Sequence, residues 1–118
     1  MKISALLRWQ WSAYLNYHAS RTNLFIHIAA VPMFLLANIS LIVSLFELSL
    51  FRALISLIAM VFAFGLQARG HSMEKNPSVP FSGPGNALAR IFLEQWINFP
   101  RFVFSGGWFR SLQNSTAP

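Results

Sequence analysis

The sequence predicts an all-α membrane protein built on a transmembrane helical hairpin of two spans or more, with amphipathic interfacial helices at both ends. Three observations point there. Apolar residues make up 55% of the 118 residues and charged ones only 10%, against roughly 25% charged in soluble domains. Two long runs carry no charge, and only a short polar turn separates them. A chain of this size suits one domain, 1–118, and has too few polar residues to coat so apolar a core in water.

The elements follow in order. Leu7, Trp11, Tyr14 and His18 recur at helical spacing, while Arg8, Ser12 and Asn16 fall elsewhere. That pattern predicts an amphipathic helix lying in the membrane interface. The run Ile3–Leu7 is broken by Arg8 and lacks a cleavage-site pattern, so it does not read as a secretory signal. Residues 24–46 form an uncharged stretch of 23 positions, and a bilayer core needs about 20 helical residues. Thr22 and Asn23 offer N-cap chemistry before it, and Pro32 inside it is the kind of residue membrane helices tolerate. Glu47 to Arg52 reads as a turn. The second span, residues 49–66, is predicted with Arg52 snorkelling. Asn38 is placed to make an interhelical hydrogen bond.

Beyond the hairpin, Ser78 to Gly85 is rich in proline and glycine and reads as a turn. Asn86 to Phe99 is predicted helical, with Leu88, Ile91, Phe92, Trp96 and Phe99 on one face and Arg90, Glu94 and Asn98 opposite. Pro100 is expected to end that helix. An aromatic patch follows around Gly106-Gly107, then a disordered tail from about 111 to 118.

The net charge of +6 is spread over nine single basic residues. Anionic lipid headgroups fit that distribution, and nucleic acid does not. Lys2, Arg8 and Arg21 precede the first span and five basic residues follow the second, with Arg52 alone at the tip. Both termini are therefore expected on the cytoplasmic side, of the inner membrane in a bacterium. The absence of cysteine excludes disulfides and thiolate ligands. With no aspartate, no Gly-x-Ser-x-Gly elbow and no Walker lysine, a Ser-His-Asp triad and a phosphate loop are excluded too.

The remaining chemistry lies in His18, His27 and His71. A hairpin brings the start of its first span beside the end of its second, so all three reach one membrane face. In one continuous helix, nine positions at about 100° each would set His18 and His27 on opposite sides. The stretch from Ser20 to Asn23 offers the break that can fold His18 back, with Asn23 capping the new helix. Glu74, three residues after His71, could present a carboxylate to the same metal. Three imidazoles, or two and a carboxylate, suit non-haem Fe(II), and Zn(II) accepts similar ligands. The same residues also read as interfacial filler and a surface ion pair. Gln67 points at the site or ends the helix.

Tyr17-His18, Asn23, His27, Pro32, then Gln67, Gly70-His71 and Glu74-Lys75-x-Pro77 across a hydrophobic hairpin together resemble the Mpo1-like (DUF962) family. The resemblance covers residues 17–77. It departs at Ala30, where the family often has glycine, and at Pro77-Ser78, where it has Pro-Ala. It implies a membrane-bound, Fe(II)-dependent dioxygenase that shortens 2-hydroxy fatty acids by one carbon with O2, in fatty acid α-oxidation. It also implies His18, His27 and His71 as iron ligands, with Glu74 as a fourth ligand or a partner orienting a histidine. Asn23, Gln67 and Tyr17 would line or brace the site, and Arg21, Arg69 or Lys75 could attract the substrate carboxylate. Two rival readings use the same residues: a non-catalytic lipid-binding or assembly protein, and a zinc-dependent lipid hydrolase.

Overall fold

Residues 2–115 are described by a computed structural model of the chain. Among them there is no strand. Helix α1 covers Ile3–Ser12 and leads through a 3₁₀ turn, Tyr14–Tyr17, to the long helices α2 (Arg21–Phe46) and α3 (Leu50–His71). After a loop come α4 (Pro84–Leu93), a π-helical turn (Glu94–Asn98), α5 (Phe99–Phe104) and α6 (Gly107–Gln113).

Helices α2 and α3 form the predicted antiparallel hairpin. Both are long and apolar enough to cross a membrane, and only 33% and 22% of their most apolar stretches are covered by the rest of the protein. Leu36, Ile42, Leu54 and Val61 are exposed. An apolar surface of that extent belongs in lipid, and the chain is an all-α membrane protein. Against each other the helices bury small residues, Ala30, Ala37 and Ser44 on α2 and Ala53, Ser56 and Ala63 on α3. Small side chains let membrane helices approach closely. The Ser40 and Ser56 hydroxyls meet at 2.8 Å within that seam. At the tip, Leu48 takes a positive φ of 53° to reverse the chain, Ser49 Oγ accepts from Arg52 N, and Arg52 pairs with Glu47.

Three expectations are corrected. Helix α2 starts at Arg21 with Ser20 as N-cap, so Asn23 is a first-turn residue and not the cap. Helix α3 itself continues beyond the expected span, to His71. It does so because Gln67 is buried against another amide and Gly70 against α2, so neither has to leave the helix for water. Pro100 does not end a helix. It lies inside a continuous helical path, just after the π turn. Proline lacks an N–H and crowds the carbonyl four residues back, and the widened π turn takes up both effects. That turn also resets the helical register, so Phe99 is buried while Leu88 and Trp96 stay exposed. Lastly, α6 extends to Gln113, inside the segment expected to be disordered, and Ser111 Oγ donates to His18 O. The rest of that expected tail, 116–118, lies outside the described residues.

The remaining helices close over one end of the hairpin. Tyr14, Leu24, Val31, Phe99, Phe102 and Trp108 form their shared core. Trp108 Nε1 donates to Leu24 O at 3.0 Å, and Trp96 Nε1 to Asn38 Oδ1 at 3.0 Å. Asn38 therefore does make a hydrogen bond between helices.

Candidate metal centre

The three histidines converge. His18 follows the 3₁₀ turn with a φ of −136°, a break that turns its ring inward. His27 lies on the second turn of α2, fully buried, and His71 is the last residue of α3. Ring centroids are 5.2 Å apart for His18–His27, 4.9 Å for His18–His71 and 4.7 Å for His27–His71. The ring planes stand at 86°, 80° and 86° to one another. Glu94, from the π turn, completes the group. One ligand atom from each of the four residues lies within 4.8 Å of all the others.

The hydrogen bonds fix which nitrogens are free. His18 Nδ1 lies 2.8 Å from Tyr14 O, and His27 Nδ1 lies 3.0 Å from Asn23 O. A carbonyl oxygen only accepts, so both Nδ1 atoms carry the proton and both Nε2 atoms present a lone pair. Histidine ligands to metals are oriented in this way. His27 Nε2 and His71 Nδ1 are buried with no partner among the described residues. His18 Nε2 faces Glu94 Oε2 at 3.2 Å, a contact that either a proton on the imidazole or a metal ion shared by the two can satisfy. Two ligands bound at right angles about 2.1 Å from a metal stand about 3 Å apart. The donor set therefore fits a metal ion, and the His/Glu cluster could hold one.

Tyr14 supports two members at once. Its backbone oxygen takes the His18 proton, its hydroxyl donates to Glu94 Oε2 at 2.9 Å, and its ring stacks on His18 at 3.9 Å. Burial, and then the Glu94 charge, raise the Tyr14 pKa well above the ordinary phenol value, so the hydroxyl stays a donor.

Glu74 is not in the cluster. Helix α3 ends at His71, and the following turn carries the Glu74 carboxylate to the start of α2. There it accepts from Ala19 N, Ser20 N and Asn23 Nδ2. The carboxylate beside the histidines is Glu94, which the sequence placed opposite the apolar face of its helix. One signal for it existed. The chain has three acids, and Glu47 sits at the far tip, so only Glu74 and Glu94 could reach the histidines.

The other expected residues divide. Asn23 braces the loop, donating to Tyr17 O at 3.3 Å and to Glu74 Oε2 at 2.6 Å. Gln67 makes a reciprocal amide pair with Gln95, at 2.9 and 2.6 Å. A largely apolar pocket of about 350 Å³ opens beside the cluster, lined by Tyr14, His18, His71 and Glu94 on the cluster side and by Trp9, Phe64, Val79, Phe81 and Ile91 further out. Tyr17 and Gln67 line it too. Arg21, Arg69 and Lys75 do not; they are exposed elsewhere, with Arg21 bonded to Ser115. Arg90, which the sequence set opposite the apolar face of its helix, does line it.

A family model described as 2-hydroxy-palmitic acid dioxygenase Mpo1-like matches residues 5–99. Neither the curated proteins nor the solved structures give a match to the chain. The matched stretch contains the three histidines, Glu94 and both long apolar helices, and it spans well over half of the sequence: the chain belongs to the Mpo1-like family.

Proposed function

We propose that the protein is a membrane-bound Fe(II)-dependent dioxygenase that shortens 2-hydroxy fatty acids by one carbon. The observation that carries this reading is the buried cluster of His18, His27, His71 and Glu94 at the inner end of an apolar pocket. The family description supplies the reaction class. Iron on these four side chains would supply the redox chemistry toward O2 that no amino-acid side chain here provides.

The chain's own residues do the rest. The apolar wall takes the alkyl chain and keeps water from the reacting end. Tyr14 and Asn23 hold two imidazoles in one tautomer through their backbone oxygens. The Gln67–Gln95 pair closes the inner wall without leaving an amide unpaired. In the bilayer both termini lie on the cytoplasmic side, as the distribution of basic residues directs.

The test is iron content of the purified protein together with O2-dependent conversion of a 2-hydroxy fatty acid to the acid one carbon shorter. The wild type should do both, and His71→Ala should lose both. Full turnover in His71→Ala would sink the assignment.

A further inference from the structure

Arg90 sits one helical turn before Glu94, so the two side chains leave the same helix face about 6 Å apart along its axis. Both line the pocket, and Arg90 is the only lysine or arginine that does so among the described residues. Its guanidinium is held in place. Nη1 donates to Pro80 O at 3.1 Å and Nη2 to Val79 O at 2.8 Å. The Trp9 and Phe81 rings flank it, with centroids 5.1 and 4.6 Å away.

These partners are neutral. Among the described residues no carboxylate pairs with Arg90; the ion pairs are His18–Glu94 and Arg52–Glu47. Of five guanidinium N–H donors, two are engaged, and the buried Nε has no acceptor. A fixed, partly desolvated guanidinium with spare donors, at an apolar pocket, has the chemistry to receive a carboxylate, which it can grip with two parallel hydrogen bonds. The wall around it is otherwise suited to an alkyl chain.

We propose that Arg90 is the carboxylate anchor of this pocket and makes it select free fatty acids over neutral esters of the same chain. This rests on the reading of the pocket as the acyl site of the proposed dioxygenase. Arg90 takes the place that Arg21, Arg69 and Lys75 were expected to fill. Its grip on Val79 and Pro80 also joins the outer wall to the charged end, so ligand charge and wall position are set by one residue.

The experiment measures binding of 2-hydroxypalmitic acid and of its methyl ester to the full chain in nanodiscs of uncharged phosphatidylcholine, with turnover of the acid followed in parallel. Wild type should bind the acid about tenfold or more tighter than the ester. Arg90→Gln should bring the acid down to the ester's affinity and leave the ester unchanged. An undiminished preference for the acid in Arg90→Gln overturns the inference, as does equal binding of acid and ester by wild type. Should Arg90→Gln lose both ligands because the wall has come loose, Arg90→Lys decides: retained acid preference supports the anchor, and its loss with ester binding intact overturns it. The two readings separate cleanly. Wild type that discriminates acid from ester through Arg90 but does not shorten the acid upholds the anchor and removes the dioxygenase.

Discussion

Glu74 caps the N-terminus of α2 from the far side of the hairpin, its Oε2 lying 2.6 Å from Asn23 Nδ2 while the carboxylate also accepts from the backbone of Ala19 and Ser20. A carboxylate at a helix N-terminus satisfies amides that have no partner within the helix and complements the helix dipole. Here the cap crosses 51 residues, and it ties the segment after His18 to the turn after His71. It thereby sets how two of the three histidines face each other. Glu74→Gln keeps the size but turns an NH2 toward donors. We expect a loss of about 1–3 kcal/mol in stability, together with weaker metal binding, read by thermal unfolding and by metal titration in detergent. Unchanged metal affinity would show that the cap does not position the centre.

Gly70 holds the same junction by having no side chain. A Cβ there would stand 2.2 Å from Asn23 Oδ1 and 3.4 Å from Asn23 Cα. Gly70→Ala must displace the Asn23 side chain, which holds the Glu74 carboxylate, beside His27 and His71. Overpacking of this kind typically costs about 1–3 kcal/mol, and the metal site should be lost with it. Gly65→Ala is the control, because a Cβ at Gly65 meets nothing within 4 Å. Equal behaviour of the two variants would show that close approach at Gly70 is not required.

Tyr14→Phe removes the hydroxyl that donates to Glu94 but keeps the ring on His18. Metal affinity should fall by about tenfold or more, the usual consequence of removing such an outer partner. The pH dependence has a definite sign. Burial and the Glu94 charge raise the folded-state pKa of Tyr14 above its unfolded value near 10.0. Its contribution is thus complete below pH 10 and lost as pH rises above that toward the folded-state value. Wild type should therefore lose stability relative to Tyr14→Phe only at pH above about 10. A constant gap between the two across that range would contradict the buried phenol.

The hairpin was legible because uncharged runs and their length report directly on lipid. The histidines were legible because hairpin topology brings chain-distant ends together whatever the side-chain details. Glu94 was not. It sits opposite the apolar positions on an ideal helix, yet in the π turn beside Pro100 it stands against His18. Periodicity assumes a constant turn, so it misplaces residues wherever the turn widens. Glu74 misled for a related reason. Three-residue spacing implies a shared face only while the helix continues, and α3 stops at His71.

Gln67 and Gln95 should behave as one unit. Each amide donates to the other, at 2.9 and 2.6 Å, and both side chains are buried. Gln67→Leu leaves Gln95 with an unpaired amide, and the expected cost is about 1–3 kcal/mol, with a similar cost for Gln95→Leu. Replacing both should recover much of it, since an apolar pair of like shape leaves nothing unsatisfied. A double-mutant cycle on thermal unfolding measures this coupling. Additive losses would mean that the two amides do not depend on each other.

Removal of metal should destabilise the fold at the end of the hairpin that carries the cluster. Without a cation, His27 Nε2 and His71 Nδ1 stay buried and unpaired, and His18 Nε2 confronts Glu94 Oε2 across 3.2 Å. A ligand that binds only the folded state at a hundred times its Kd adds about 2.7 kcal/mol. Chelation should accordingly lower the unfolding midpoint and increase amide exchange in the 3₁₀ turn and the π turn, which hold His18 and Glu94. The centre of the hairpin, around Ser40 and Ser56, should keep its protection. Fe(II) added without oxygen should restore both observables in wild type and neither in His27→Ala. Zn(II) run alongside gives the relative fit of the two ions. Identical exchange with and without metal at His18 and Glu94 would remove the case for a metal on these residues, whatever the enzyme's activity.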